Sequence, residues 1–150
     1  MPGKTPNGIP YVLPGDTIAT FPTVSKQIAE AVDKSRELVG AWIPLKLEGG
    51  WEEFSPFGMN TYAGIRVRKL PSGIQIEGTV KGGAPKSVMA QLPTQLKVKY
   101  GHLVQVVSGS PDAYLQVSPN KGVNGQATLS ISSDTAVNTP VFIHAIVATD

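Results

Sequence analysis

Two histidines, His102 and His144, are the only imidazoles in a chain of 150 residues that has no cysteine. Imidazole does general acid–base work or ligates a metal, but a metal site needs further ligands at short spacing. Neither histidine has a carboxylate or second imidazole within five positions. His102 follows Gly101 at an expected turn. His144 stands among apolar residues with Phe142 and Ile146 on its own strand face, the setting of an interior or interface imidazole. Serines are plentiful, yet none sits in the Gly-x-Ser-x-Gly elbow of a hydrolase nucleophile. Glu52 and Glu53 are adjacent, so on a strand they point to opposite faces and cannot act as a catalytic pair. The glycine-rich stretch Gly78 to Gly83 lacks the Lys-Ser/Thr ending and the helix of a phosphate loop. Asp112 and Asp134 fall in expected turns, where aspartate serves the backbone. No catalytic residue, cofactor contact or metal ligand is assigned, and the chain is not expected to be an enzyme. A glycan depolymerase would need paired carboxylates brought together across subunits.

Binding chemistry is better represented. Trp51, Phe54, Phe57 and Tyr62 cluster in twelve positions, and flat exposed rings are what sugar rings stack on. The competing reading is that they plug the junction between a helix and a β domain. Arg66, Arg68, Lys69, Lys81, Lys86, Lys97 and Lys99 fall in one span in which Glu77 is the only acid. That span reads either as a patch for an anionic surface polymer or as the solvated face of a few strands. Trp51, Phe54, Arg66 and Arg68 are the candidate glycan contacts. The net charge of +2 is too small to argue for nucleic acid.

These side chains must be positioned by a largely β scaffold. Short apolar-rich stretches, several of them alternating, mark strands around Ile43 to Leu47, Tyr62 to Leu70, Ile74 to Val80, Val88 to Leu92, Leu103 to Val107, Ala113 to Val117, Ala127 to Ser132 and Val141 to Ala148. Turn signals separate them: Glu48-Gly49-Gly50, Pro71-Ser72-Gly73, Gly82-Gly83, Ser108-Gly109-Ser110-Pro111 and Pro119-Asn120-Lys121-Gly122. Many short strands with frequent turns predict an antiparallel sandwich or barrel. The last strand is apolar on both faces apart from His144. Both faces are therefore expected to be covered, one by its own core and the other by a second sheet or a second subunit.

Ahead of the β region stand two further parts. Residues 1–22 carry Pro2, Pro6, Pro10 and Pro14 with glycines between them, which favours extended backbone. Ile9, Tyr11, Val12, Leu13, Ile18 and Phe21 make this arm too apolar for a free linker, so it is expected to lie on a neighbouring subunit or a larger assembly. Residues 23–40 hold the one convincing helix, with Thr23 or Ser25 available as a cap and Gly40 as its stop. Val24, Ile28, Ala31, Ser35 and Leu38 follow at steps of four, three, four and three, a short a/d seam. Spacing alone leaves open whether that seam packs on the chain's own β domain or on copies of itself.

Hydrophobic residues make up 41% of the chain, enough for a core. No apolar run approaches the ~20 residues of a membrane-spanning helix, and no secretory signal is expected from the first residues.

Thr5-Pro6-Asn7-Gly8-Ile9-Pro10-Tyr11, followed by the helix with Ile28-Ala29-Glu30-Ala31-Val32-Asp33, resembles the opening of minor tail proteins and tail fibres of tailed bacteriophages, especially those of actinobacteria. Ile65-Arg66-Val67-Arg68-Lys69, then Gly73 to Gly83 and Val88-Met89-Ala90-Gln91-Leu92-Pro93, is similar to the pattern of their β heads. The resemblance covers about two-thirds of the chain and implies a homotrimeric virion protein. Residues 1–22 would attach it to other tail proteins, 23–40 would form a trimeric coiled coil, and 41–150 an antiparallel β-sandwich head. It also implies contact with host cell-wall carbohydrate, no nucleic acid and no membrane insertion. The protein would reside in the phage tail, and in the host cytoplasm during assembly. The alternative is an architectural tail or head component, a collar or decoration protein that binds no receptor.

Overall fold

A computed structural model describes residues 3–4, 10–11, 13, 21–37, 39–56, 58, 60–109, 112–133 and 139–149, without the side chains of residues 10, 21 and 35–37. The chain divides into two compact units, residues 1–39 and 40–150.

In the first unit two dipeptides, β1 (Gly3–Lys4) and β2 (Pro10–Tyr11), pair antiparallel. The helix α1 spans Phe21–Glu37 and packs on β2. It starts two residues earlier than expected, with Pro22 in the first turn, where a missing N–H costs nothing. Thr23 and Ser25 are therefore helical residues and not caps. Of the seam positions, Val24 is buried and Ala31 half-buried, whereas Ile28 is 39% exposed. The Ser35 side chain and Leu38 lie outside the described residues. Lys26 and Glu30 form an exposed i,i+4 pair at 3.8 Å, of the kind that adds only a few tenths of a kcal/mol.

The second unit is mainly β, two antiparallel sheets arranged as a sandwich. One sheet runs β11-β6-β5-β3, formed by β3 (Ile43–Leu45), β5 (Gly64–Leu70), β6 (Gly73–Lys81) and β11 (Val141–Ala148). The short β4 (Glu52–Glu53) pairs with the end of β6, so it continues the edge that β5 leaves. The other sheet runs β7-β10-β9-β8, with β7 (Val88–Gln91), β8 (His102–Gln105), β9 (Tyr114–Ser118) and β10 (Thr128–Ser132). A 3-10 turn, Val123–Gly125, precedes β10.

The period-two pattern of the sequence sets this arrangement. Ile65 and Val67, Ile74 and Ile76, Val141, Ile143, Ala145 and Val147 point inward from the first sheet. They meet Met89, Leu115, Val117, Leu129 and Ile131 of the second in one core. Each such side chain contributes up to about 1.5–3 kcal/mol by leaving water. Glu48 to Trp51 closes as expected in a tight turn, with the Trp51 N–H donating to the Glu48 carbonyl at 3.2 Å. Gly49 (φ 65°) and Gly50 (φ 78°) supply the two positive angles that this turn requires.

The terminal strand is covered on one face by its own core, as expected, and within one chain no second sheet covers the other among the described residues. β11 has one buried face and one open face: His144 and Ala148 are exposed, and Ile146 is 63% exposed. The strand alternates in burial although its sequence does not alternate in polarity, because Phe142 and Ile146 are apolar residues that face outward.

Candidate functional site

The outer face of the β11-β6-β5-β3 sheet carries the one dense set of polar and aromatic contacts among the described residues. It is ordered by strand register. Arg66, Glu77 and His144 stand side by side across β5, β6 and β11. Next to them runs a second row, Arg68, Gln75 and Ile146. On the other side, Gly64, Thr79 and Phe142 form a row that is low at two of its three positions. A tall polar row beside a low one leaves a depression.

In the tall row, Arg66 Nε donates to Glu77 Oε1 at 2.7 Å, and Nη2 donates to the same oxygen. The Arg66 guanidinium carbon lies 4.4 Å from the Trp42 ring centroid and 4.5 Å from that of Tyr62. Arg68 lies 4.5 Å from the same Trp42 ring, and its Nε donates to Gln75 Oε1 at 2.8 Å. The Gln75 amide nitrogen is 3.2 Å from His144 Nε2. Both arginines are thus held at the head group, and a side chain whose rotamer freedom is already spent loses less on meeting a ligand.

Trp42 is the hub of this stack. Each partly exposed guanidinium–ring contact is worth about 0.5–1 kcal/mol. Trp42→Ala is therefore expected to lower stability by about 1–2 kcal/mol in urea denaturation. An unchanged midpoint would mean that the two arginines do not lean on this ring.

The depression is a cavity of about 580 Å³, lined by the segment Asn60, Thr61 and Tyr62, by Arg66, Glu77 and His144, and by Gln105, Val107 and Phe142. That volume lies within the range of small-molecule sites. The residues after β8 reach it because Val107 and Phe142 exchange two backbone hydrogen bonds, of 3.2 and 2.8 Å. Thr79 is fully buried beneath it, and neither its hydroxyl nor that of Thr61 hydrogen-bonds to another protein group, so the cavity has a polar floor.

The candidate contacts read from sequence are only partly brought together here. Arg66 and Arg68 lie in the site. Phe54 is half-buried near β4, with Lys81 Nζ 5.2 Å from its ring centroid. Trp51 is 4% exposed and belongs to the core. Its indole rests on Gly83, where any Cβ would overlap the ring, so it has no open face for a sugar to stack on. Phe57 lies outside the described residues. Trp42, Gln75 and Phe142 were not singled out by sequence reasoning. The available signal was that Trp42 shares the outward parity of Pro44 on β3, opposite Arg66.

Of the remaining titratable groups, His102 sits on β8 with a buried Nε2 that has no partner. Asp112 lies in a turn and accepts from Ser133 Oγ at 3.4 Å, and Asp134 lies outside the described residues. Glu52 and Glu53 are both exposed on β4. Among the described residues no three His, Cys, Asp or Glu side chains converge on a metal-sized space. Among the described residues no helix is long and apolar enough to cross a membrane.

No protein-family model and no curated protein sequence matches the chain. Its fold is similar to the crystal structure of the receptor binding protein (gp15) of Listeria phage PSA, with a TM-score of 0.55 and 16% sequence identity over 91% of this chain and 82% of that one. At that identity the likeness is one of fold: the β sandwich read from the sequence is an architecture that a phage receptor-binding protein also uses.

Proposed function

We propose that this chain is a virion protein of a bacteriophage tail, of the receptor-binding type, whose β head contacts carbohydrate of the host cell wall. The observation that carries this reading is the fold likeness to a phage receptor binding protein over 91% of the chain. The arginine–aromatic cavity on the head supports it, because aromatic walls and fixed polar side chains suit a hydroxylated ring.

The working unit is a homotrimer, with residues 1–22 holding it to other tail proteins. Apolar surface that one copy leaves in water supports this. Ile28 is 39% and Val32 45% exposed on α1, and Ile146 is 63% exposed on the head. Val24 is already buried within a single chain, so the helical seam would rest on Ile28, Ala31 and Val32. Three weak sites on one body bind a repetitive surface by avidity.

Light scattering is expected to give three times the 15.8 kDa chain mass, and the double variant Ile28→Asp/Val32→Asp one third of that value. A well-behaved single copy at micromolar concentration would end the trimer reading. Purified protein is expected to bind cell walls from a panel that includes Listeria and actinobacteria, and to keep doing so after deletion of residues 1–22. Binding to no wall, with particle assembly intact, would leave an architectural component as the better account.

A further inference from the structure

We infer that the cavity above Thr79 takes a neutral ring bearing two adjacent hydroxyl groups, and that the Arg66–Glu77 pair is the element that reads them. This rests on the receptor-binding reading and specifies the chemistry of its ligand.

Arg66 spends Nε and Nη2 on one oxygen of Glu77, Oε1. The pair therefore presents unused donors, the second N–H of Arg66 Nη2 beside those of Nη1, and an unused acceptor, Glu77 Oε2, held in a single ion pair. A vicinal diol suits that arrangement: one hydroxyl oxygen accepts from the remaining Nη2 N–H while the neighbouring O–H donates to Oε2. Hydrogen bonds to charged partners are the stronger class, so each is worth making even in a partly open site. The geometry is fixed before any ligand arrives, because the guanidinium also packs against Trp42 and Tyr62.

The same pair disfavours an anion. A phosphate or carboxylate approaching Arg66 meets Glu77 in direct contact with it, and displacing Glu77 would strand a carboxylate that is only 23% exposed. Arg66 is thus not a free cation despite its place in a basic stretch of sequence. The rest of the lining suits a neutral polyol. Tyr62 and Phe142 offer apolar surface to ring C–H groups, and Asn60 and Gln105 offer amides that both donate and accept.

The test uses the full-length protein and nuclear magnetic resonance titration with two kinds of probe. Neutral probes are methyl glycosides of glucose, galactose, mannose and N-acetylglucosamine. Anionic probes are inorganic phosphate and a glycerol-phosphate oligomer. At least one neutral glycoside is expected to shift the Tyr62 and Phe142 resonances, with an affinity unchanged between roughly 50 and 500 mM salt. Glu77→Gln removes the charged acceptor and frees the Arg66 charge. It is expected to weaken glycoside binding about tenfold and to create salt-sensitive phosphate binding, with circular dichroism unchanged. Wild-type protein that binds the glycerol-phosphate oligomer at this cavity, and no neutral glycoside, would overturn the inference and leave the receptor reading standing. Cell-wall binding with no probe moving the cavity resonances would do the same. Failure to bind both walls and probes would remove the two together.

Discussion

Gly78→Ala is expected to destabilise the β head by about 3 kcal/mol or more, the upper end of what strained backbone and steric overlap cost together. Gly78 lies in the middle of β6, in register with Ile65 of β5. Its φ of 155° belongs to glycine. The decisive constraint is the neighbour: a Cβ here would overlap the carbonyl of Gly64 and stand 3.0 Å from the Cα of Ile65. Both are backbone, so no side chain can swing aside. The strands must part where β5 begins, and the Gly64–Thr79 pairing goes with them. For a domain of this size the loss corresponds to a drop on the order of 10 °C in melting temperature. Gly125→Ala is the control. Gly125 also has a positive φ, 73°, but a Cβ there meets nothing within 4 Å, so its cost is only the backbone strain of about 1 kcal/mol. Equal melting temperatures for the two variants would show that the close crossing of β5 and β6 does not exist. The crossing also underlies the cavity, since Gly64 and Thr79 form its low row. A soluble Gly78→Ala protein is therefore expected to lose ligand along with stability.

Why some of this was legible in the sequence and some was not has a physical basis. The β5–β6 hairpin could be read because Ile65, Val67, Ile74 and Ile76 alternate strictly with polar residues, and Pro71-Ser72-Gly73 marks the reversal. β11 could be found but not oriented. Its outward residues Phe142 and Ile146 are as apolar as its inward ones, so polarity carried no information about which face was open. The site was half visible. Arg66 and Arg68 stood out as cations, but what they do is set by Glu77 and Gln75 across the hairpin and by Trp42 at the head of β3. Cross-strand register, which one sequence does not display, decides that Arg66 is paired and not free. The helix was found with its end positions shifted, because Pro22 is as good inside the first turn as before it. Trp51 is a different case. Its aromatic neighbours in sequence support two readings, a stacking platform or a plug at the helix–β junction, and the Gly82-Gly83 break after β6 reads from sequence only as a strand stop. Gly83 lies 32 positions away in the chain, and only the fold shows that it is the seat for the indole.

That seat underlies the second large effect. Trp51→Ala is expected to cost about 3–5 kcal/mol, the range for deleting a large aromatic side chain from a core. Trp51 is 4% exposed and belongs to the buried cluster that includes Val80 and Met89. Gly83 beneath it has no side chain to lean into the hole, so on that side the cavity stays open. The indole Nε1 is buried without a partner, which makes Trp51→Phe informative. That change loses volume and removes an orphan donor worth about 1–3 kcal/mol, so the two terms oppose each other and the variant is expected to fall well short of the alanine cost. Gly83→Ala should reproduce much of the Trp51→Ala loss by the opposite route, since the added methyl occupies the place of the ring. In denaturation monitored by fluorescence, it should also shift Trp51 emission to longer wavelength as the indole is forced toward water. The contrast with the cavity is then direct. Glu77→Gln keeps the shape of the side chain and an acceptor oxygen for the partly exposed Arg66, so its cost in melting temperature is expected to be far smaller than that of Trp51→Ala. A Trp51→Ala protein that melts like the wild type and has lost binding would place the indole on the surface and return it to the ligand.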